Sequence, residues 1–191
     1  MSRTYDMSRR SEKAAQTTEN IIAATERLLT EKPLEEISLN AIAKESGITV
    51  QTVLRHMDSR EGCIYTVAER VSSRVEKQRS GSEPGNITES VESLIEHYEQ
   101  EGKLVLNLLT QEHSEESFAS DFTAEGRNFH RQWVERCFGS HVSGNETEVI
   151  DALVVATDIY TWKLLRLDLC RPLDTTKKII TNMVSKILEI P

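Results

Sequence analysis

A short run of polar residues, Thr49, Gln51 and Thr52, follows Gly47 inside an otherwise helical pattern. Their side chains are suited to the major groove of DNA, because the Gln51 amide can bind an adenine edge and Thr52 a base edge or a phosphate. The methyl group of Thr49 or Val50 can contact a thymine methyl. These residues predict a DNA-contacting surface, provided that one helix presents them to solvent.

Two short helices must position this run. Ala43 and Gly47 have the spacing of a helix-turn-helix, in which a small Ala43 lets the helices cross closely and Gly47 allows the sharp turn. Ser38 is placed to cap the first helix, predicted over residues 39–46, and Thr49 to cap the second. The alternative is an ordinary helical hairpin on the surface of a bundle.

Apolar residues around the run predict how the motif is held. Ile37 and Ile42 occupy the two positions of a hydrophobic staple, and Ile48, Val53 and Met57 are expected to point inward against a preceding helix. The predicted DNA contacts are Ser38, Asn40, Thr49, Val50, Gln51, Thr52, Arg55, His56 and Arg60.

The charge distribution favours the first part of the chain as the DNA-binding part. Residues 1–80 contain 13 Lys and Arg against 12 Asp and Glu, whereas residues 81–191 contain 10 against 19, which accounts for the net charge of −8. The acidic second part would be repelled by phosphates. Arg60, expected at the N-terminus of a fourth helix, is placed to meet a phosphate there.

Composition predicts an all-α protein, since the chain has only eight Gly and four Pro and lacks alternating β-strand patterns. Cys63, Cys137 and Cys170 lie far apart without a CxxC motif, which suits a reducing cytoplasm and argues against a disulfide framework or a zinc knuckle. No signal peptide or membrane span is expected, so membrane partners are not predicted. No cofactor is predicted either.

Three parts are predicted along the chain, with about nine helices in all. Residues 1–16 are expected to form a flexible basic arm, residues 17–80 the helix-turn-helix domain, and residues 81–191 a helical regulatory and dimerisation domain. The stretch RSGSEPGN, residues 79–86, marks the boundary because it combines Gly, Ser and Pro without an apolar residue. Gly102 is expected to break or kink a helix that begins near Ile87.

Two apolar stripes predict a homodimer. One heptad stripe runs from Ile150 to Leu167 and a second from Ala152 to Trp162 on the same predicted helix, so both faces must be covered. One face would pack inside the subunit and the other against a copy, although a fully buried helix in a monomer is the alternative. The predicted interface residues are Ile150, Leu153, Thr157, Tyr160, Leu164, Ile180, Met183, Val184 and Ile187.

Aromatic residues of the second part predict a pocket for a small molecule. His130, Trp133 and Cys137 share one helix face in GRNFHRQWVERCF. Such stripes are more often part of a core than a ligand site, but tyrosine and tryptophan carry polar atoms that need partners. The histidines lack metal-ligand spacing, so no metal is predicted. The predicted ligand residues are Tyr98, Leu109, Phe122, Phe129, His130, Trp133 and Trp162.

Residues 18–66 resemble the DNA-binding domain of the TetR family of bacterial transcription regulators. The resembling run is ISLNAIAKESGITVQTVLRHMDSREGCI, with its Ala/Gly turn, recognition helix and capped fourth helix. The resemblance implies a homodimer that binds palindromic double-stranded operator DNA, usually as a repressor, and that releases it when a small-molecule effector binds the second domain.

Three positions depart from the family pattern. Leu54 replaces the usual aromatic residue, whose phosphate contact is therefore lost or moves to Arg55 or His56. Met57 replaces a Phe and can still fill the core, and Arg60 replaces a Lys and keeps the charge.

Two other classes of function are the alternatives to a transcription regulator. An enzyme is not predicted, because GxSxG, GxGxxG, P-loop and HExxH motifs are absent, and Cys137 lies about 10 Å along the helix from His130. The other class is a helical architectural or protein-interaction module that contacts DNA non-specifically and has no effector.

Overall fold

The computed structural model describes residues 2–114, 117–142 and 146–188. These residues contain helices and connecting turns but no strand, which confirms the predicted all-α class. None of their helices is long and apolar enough to span a membrane. The helices are α1 (Ser2–Glu31), α2 (Leu39–Ser46), α3 (Val50–Met57), α4 (Arg60–Ser80), α5 (Ile87–Leu109), α6 (Ser117–Phe138), α7 (Glu146–Ala156), α8 (Ile159–Lys163) and α9 (Leu173–Ile187).

Helix α1 begins far earlier than the sequence predicted. The apolar pattern starts only at Ile21, yet the helix extends back to Ser2 and includes most of the predicted basic arm. Residues 9–16 are exposed, so they carry no apolar face that could have indicated a helix. Extending a packed helix adds a backbone hydrogen bond for each residue and needs no new nucleus. The flexibility of the arm stays a prediction.

The predicted helix caps of the turn motif are confirmed. Ser38 accepts a hydrogen bond from the Ala41 N–H, and Gly47 ends α2 with a φ of 71°. Thr49 caps α3 by accepting a bond from the Thr52 N–H. These features depend on neighbours within a few residues, which is why the sequence alone reveals them.

Two apolar cores hold the helices of the described residues together. The first lies among α1–α4 and includes Ile37, Ile42 and Val53, with the staple pair fully buried. The second lies among α5–α9. Helix α5 contributes to both, since Leu104 and Leu108 pack in the first core and its N-terminal half in the second. The domain limits at residues 17, 80 and 81 stay predictions.

Gly102 does not break α5, contrary to the sequence prediction. The helix continues through it to Leu109, and Gly102 is buried beneath the Trp162 ring. A Cβ at this position would lie 2.7 Å from two ring carbons. The glycine therefore serves close packing between α5 and α8, a long-range requirement that its sequence neighbourhood does not show.

The predicted single helix of the last third is interrupted between Ala156 and Ile159. Asp158 caps α8 by accepting a hydrogen bond from the Tyr160 N–H. Farther along, the Leu169 N–H bonds to the Leu164 carbonyl in a π-helical turn over residues 164–168. The helix is interrupted because the Asp158 side chain forms a local hydrogen bond that competes with helix continuation. After the interruption, a different apolar stripe faces inward.

This change corrects the predicted interface. Five of the predicted residues are buried within the subunit and cannot meet a copy without opening it, namely Ile150, Leu153, Thr157, Ile180 and Val184. Tyr160, Leu164 and Met183 are exposed, and Ile187 is half-buried. Beyond the break the second stripe turns inward, with Ile159 and Trp162 buried.

Candidate nucleic-acid interface and ligand cavity

Helix α3 has one buried face and one solvent face. Val53 and Met57 pack into the first core, whereas Gln51 and Arg55 are exposed. Because the buried face anchors the helix, the two polar side chains are held outward on a rigid element. Asn40, on the preceding helix α2, is also exposed. Ser38 and Thr49 are exposed too, but their hydroxyls cap helices, so Asn40, Gln51 and Arg55 are the exposed predicted contacts without a capping role.

Several other predicted contacts have structural roles in this conformation. The hydroxyls of Thr49 and Thr52 lie 3.0 Å apart at the start of α3, and Ser38 caps α2. Val50 is half-buried against the first core. The His56 Nδ1 atom lies 2.9 Å from the Thr18 hydroxyl, which joins α3 to α1. Their DNA contacts stay predictions, and each would use the atoms left free by these bonds.

Arg60 forms hydrogen bonds with the protein backbone and does not only face the solvent. Its guanidinium donates to the Ile37 and Leu34 carbonyls, each at 2.6 Å, and so fastens α4 to the loop before α2. A phosphate contact by Arg60 would have to share or replace these bonds. The sequence indicated the charge of Arg60 but not its bonds to these two carbonyls, which lie more than 20 residues earlier in the chain.

Gly62 is a structural requirement that the sequence analysis missed. It lies in the first turn of α4, where a Cβ would overlap the Met57 carbonyl oxygen and lie 3.3 Å from the carbonyl carbon. The end of α3 therefore approaches α4 without room for a side chain. A glycine in a helical first turn after a capping Ser59 was the available signal.

A cavity of about 650 Å³ lies between the end of α4 and helices α5–α8. This volume falls within the usual range for small-molecule sites. Of the predicted ligand residues, Tyr98, Leu109, Phe122, Phe129 and His130 line it. Trp133 and Trp162 are buried nearby but are not part of the wall, and Trp162 instead donates to the Glu99 carboxylate at 2.8 Å.

Arg79 lines the cavity from the last turn of α4 and is 2% exposed. It donates to the Nδ1 atoms of His97 at 2.8 Å and His130 at 3.1 Å, while its Nε has no partner. Its guanidinium carbon lies 5.1 Å from the centre of the Trp133 ring. The sequence analysis missed this residue, although Val71, Val75 and Arg79 share one face of α4.

The two histidines are held neutral. Burial and the adjacent Arg79 cation lower the pKa of His97 well below 6.5 and that of His130 to about 3. With Nδ1 accepting from Arg79, the other nitrogen of His130 donates to the Thr157 hydroxyl at 3.1 Å. That hydroxyl in turn donates to the Leu153 carbonyl at 2.7 Å. The network links the end of α4 to the break between α7 and α8.

These bonds also bear on catalysis and metal binding. Both ring nitrogens of His130 are engaged, so His130 is not free to act as a base for Cys137. Among residues 2–114, 117–142 and 146–188, no group of three His, Cys, Asp or Glu side chains could hold a metal ion. The residues that line the cavity offer hydrogen bonds, charge and apolar contact to a bound molecule.

Comparisons with known proteins agree with this geometry. Residues 21–65 match the family model described as bacterial regulatory proteins, tetR family. Comparison with curated proteins gives no match. A transcriptional regulator (TerR/AcrR family) from Aquifex aeolicus VF5 has a similar structure, with 18% identity and a TM-score of 0.68, over 90% of this chain and 99% of that one.

A TetR-family transcriptional regulator from Streptomyces coelicolor is also similar, with 14% identity and a TM-score of 0.69, over 99% of this chain and 95% of that one. A transcriptional regulator from Rhodococcus sp. Rha1 shares 13% identity at a TM-score of 0.66, over 90% and 96% of the two chains. These similarities show a common fold along almost the whole chain.

Proposed function

We propose that this chain, whose residues 21–65 form a tetR-family domain of bacterial regulatory proteins, is a transcriptional repressor that binds a palindromic operator as a homodimer and releases it when a small molecule binds. The observation that carries the proposal is the exposed polar face of α3, anchored by Val53 and Met57. Since its partner is DNA, the chain would work in the cytoplasm.

The side chains on this face support recognition of bases as well as phosphates. Gln51 can form paired hydrogen bonds with an adenine, and Arg55 can bind a guanine edge or a phosphate. Lys44 on α2 is exposed and adds positive charge nearby. The net negative charge lies after residue 80, where 19 Asp and Glu face only 10 Lys and Arg, and it would keep the second domain away from the DNA backbone.

Exposed apolar residues support the homodimer. Val155, Tyr160, Leu164, Leu167 and Met183 are between 37% and 67% exposed, and they lie on α7, α8, the π-helical turn and α9. Apolar residues grouped on one region of a surface are typical of protein interfaces. A second copy would cover them and pair the two α3 helices for a palindrome, about 34–36 Å or one DNA turn apart.

Helix α4 supports a link between the cavity and the DNA-contacting helices. Gly62 at its start lies against the end of α3, and Arg79 at its end lies in the cavity wall. A ligand that changes the position of Arg79 would therefore act on the element that supports α3. Such a ligand lowers DNA affinity only if it binds more tightly to a conformation with another helix separation.

Fluorescence anisotropy tests the DNA-binding proposal directly. Purified protein would be added to labelled DNA from the region flanking its own gene and, separately, to labelled scrambled DNA, at several salt concentrations. We expect specific binding tighter by about 10³ or more, at two protomers per site. Equal and steeply salt-dependent affinity for every genomic fragment tested would instead indicate the architectural module, which contacts phosphates only.

Gln51→Ala separates base recognition from phosphate contact. We expect it to weaken operator binding by about 1–3 kcal/mol and to leave binding to scrambled DNA unchanged, because only the operator presents the matching base edge. The matched control is Gln100→Ala, a change of the same exposed side chain on α5. Equal losses on both DNAs would contradict base recognition by Gln51.

A further inference from the structure

Arg79 is a buried cation that forms no ion pair with a carboxylate of the described residues. It is 2% exposed, its two terminal nitrogens donate to histidine rings, and its Nε has no partner. Burying a charge is costly unless an opposite charge and hydrogen bonds compensate it. The guanidinium stays protonated in proteins, so the cavity wall contains a fixed positive charge.

The groups around Arg79 stabilise the cation without neutralising it. His97 and His130 offer lone pairs but no negative charge. The rings of Tyr98, Phe129 and Trp133 lie 5.1 to 5.6 Å from the guanidinium carbon, within the range of cation–π attraction. The Nε N–H therefore stays without a hydrogen-bond partner, and none of these groups neutralises the charge of the guanidinium.

Three carboxylates of the described residues line the cavity, namely Asp158 and the exposed Glu76 and Glu125, and two further carboxylates nearby belong to ion pairs. Glu101 pairs with Arg74 at 2.8 Å, and Glu112 with Arg127 at 2.7 Å. Asp158, which lines the cavity, caps α8 through the Tyr160 N–H. No ion pair among the described residues includes Arg79, so its charge is available to an anionic group of a bound molecule.

The rest of the wall indicates what that molecule would carry besides its charge. Apolar residues cover most of the cavity near Arg79, including Val75, Val105, Leu109, Phe122 and Ile159. A cavity of about 650 Å³ is far larger than an inorganic anion requires. One buried cation in a mostly apolar wall matches a molecule with a single anionic group and an apolar body.

We propose that the cavity binds a small organic monocarboxylate, whose carboxylate pairs with the Arg79 guanidinium and whose aliphatic or aromatic body lies against the apolar wall. Arg79 is suited to this role because its planar fork can bind both carboxylate oxygens. The inference names the effector class for the ligand response proposed above, and only the predicted effect on DNA rests on that proposed function.

Isothermal titration calorimetry on the full-length protein tests the site without DNA. The probes are octanoate and 4-phenylbutyrate, each compared with its neutral amide, octanamide or 4-phenylbutanamide. We expect at least one carboxylate to bind ten-fold or more tightly than its amide, because the amide cannot form the ion pair. Equal affinity of acid and amide, or no carboxylate binding up to about 10 mM, would overturn the proposal.

Variants assign the charge selectivity to Arg79. Arg79→Gln is expected to remove the preference for the acid, and Arg79→Lys to retain part of it because the charge remains without the fork. Arg127→Gln is the matched control, since Arg127 lines the same cavity but is exposed and paired with Glu112. Unchanged acid preference in folded Arg79→Gln, checked by circular dichroism, would overturn the proposal.

DNA release distinguishes this inference from the proposed function. If a carboxylate binds through Arg79 and also releases operator DNA, both are supported. If it binds through Arg79 and operator binding does not change, the carboxylate site stands and the ligand response is refuted. If only the neutral amide releases the DNA, the ligand response stands and the carboxylate proposal is overturned.

Discussion

Replacing Gly62 by Ala tests whether the contact between α3 and α4 positions the DNA-contacting helix. The added Cβ would overlap the Met57 carbonyl oxygen, which belongs to the backbone and cannot rotate away. Since carbon atoms pack comfortably at about 3.5–4.0 Å, the end of α3 or the start of α4 would have to move by about 1 Å. The predicted DNA contacts Gln51 and Arg55 would move with α3.

The expected cost follows from two opposing effects. Overpacking of this kind costs about 1–3 kcal/mol of the free energy of unfolding. Alanine gains up to about 1 kcal/mol over glycine in a helix, which offsets part of that cost. We therefore expect Gly62→Ala to be destabilised by about 0–3 kcal/mol, with a loss of operator affinity that exceeds any loss of folded protein.

Gly126→Ala supplies the control for this comparison. Gly126 lies in the middle of α6, and a Cβ there would meet nothing within 4 Å. It should gain about 0.5–1 kcal/mol from helix propensity alone. Urea unfolding of both variants and anisotropy with operator DNA are the measurements. If Gly62→Ala gained as much stability as Gly126→Ala and bound operator normally, the argument for close backbone contact would be wrong.

Three further predictions concern the interface, the buried histidines and the cysteines. Leu164→Glu should convert the dimer to a folded monomer in sedimentation velocity. The control Ser120→Glu, at an exposed position of α6, should leave the dimer intact. If both variants were dimers, the interface would lie elsewhere. Because folding lowers the pKa of His97 and His130 below 6.5, their protonation favours the unfolded state. The stability that the two neutral histidines contribute should be fully present above pH 6.5. The free energy of unfolding, measured in urea, should fall as the pH decreases from 6.5 to 4.5. His130→Asn should make this decrease less steep. A thiol reagent should modify exposed Cys170 at once and the two buried cysteines only on unfolding; immediate reaction of all three would contradict their burial.

The turn motif was predictable because its determinants are local. Ser38, Gly47 and Thr49 act on backbone groups within four residues, and the structure has each in its predicted role. The inward direction of Val53 and Met57 follows equally from helical spacing. Residues 9–16 were expected to belong to a flexible arm, yet they are helical. An exposed helix without an apolar face leaves no periodic signal in the sequence.

The last third of the chain was only partly predictable. The two apolar stripes correctly indicated that both faces of this segment need cover. The interruption at Asp158 depends on a cap that competes with helix continuation, and it decides that Leu153 turns inward while Leu164 turns outward. Spacing alone assigned both residues to one interface.

The sequence by itself determined the all-α class, the helix-turn-helix and the separation of acidic from less acidic parts, since composition and short-range hydrogen bonds are sufficient for these. Only the tertiary structure decided that Gly62 and Gly102 are close-contact positions, that Arg60 fastens a loop, and that Arg79 lines the cavity with its Nε unpartnered. The contacts of Gly102, Arg60 and Arg79 join residues at least 18 positions apart, and such packing leaves no trace in the spacing of neighbouring residues. Gly62 contacts the nearby Met57, but only the tertiary structure shows how closely α3 approaches α4.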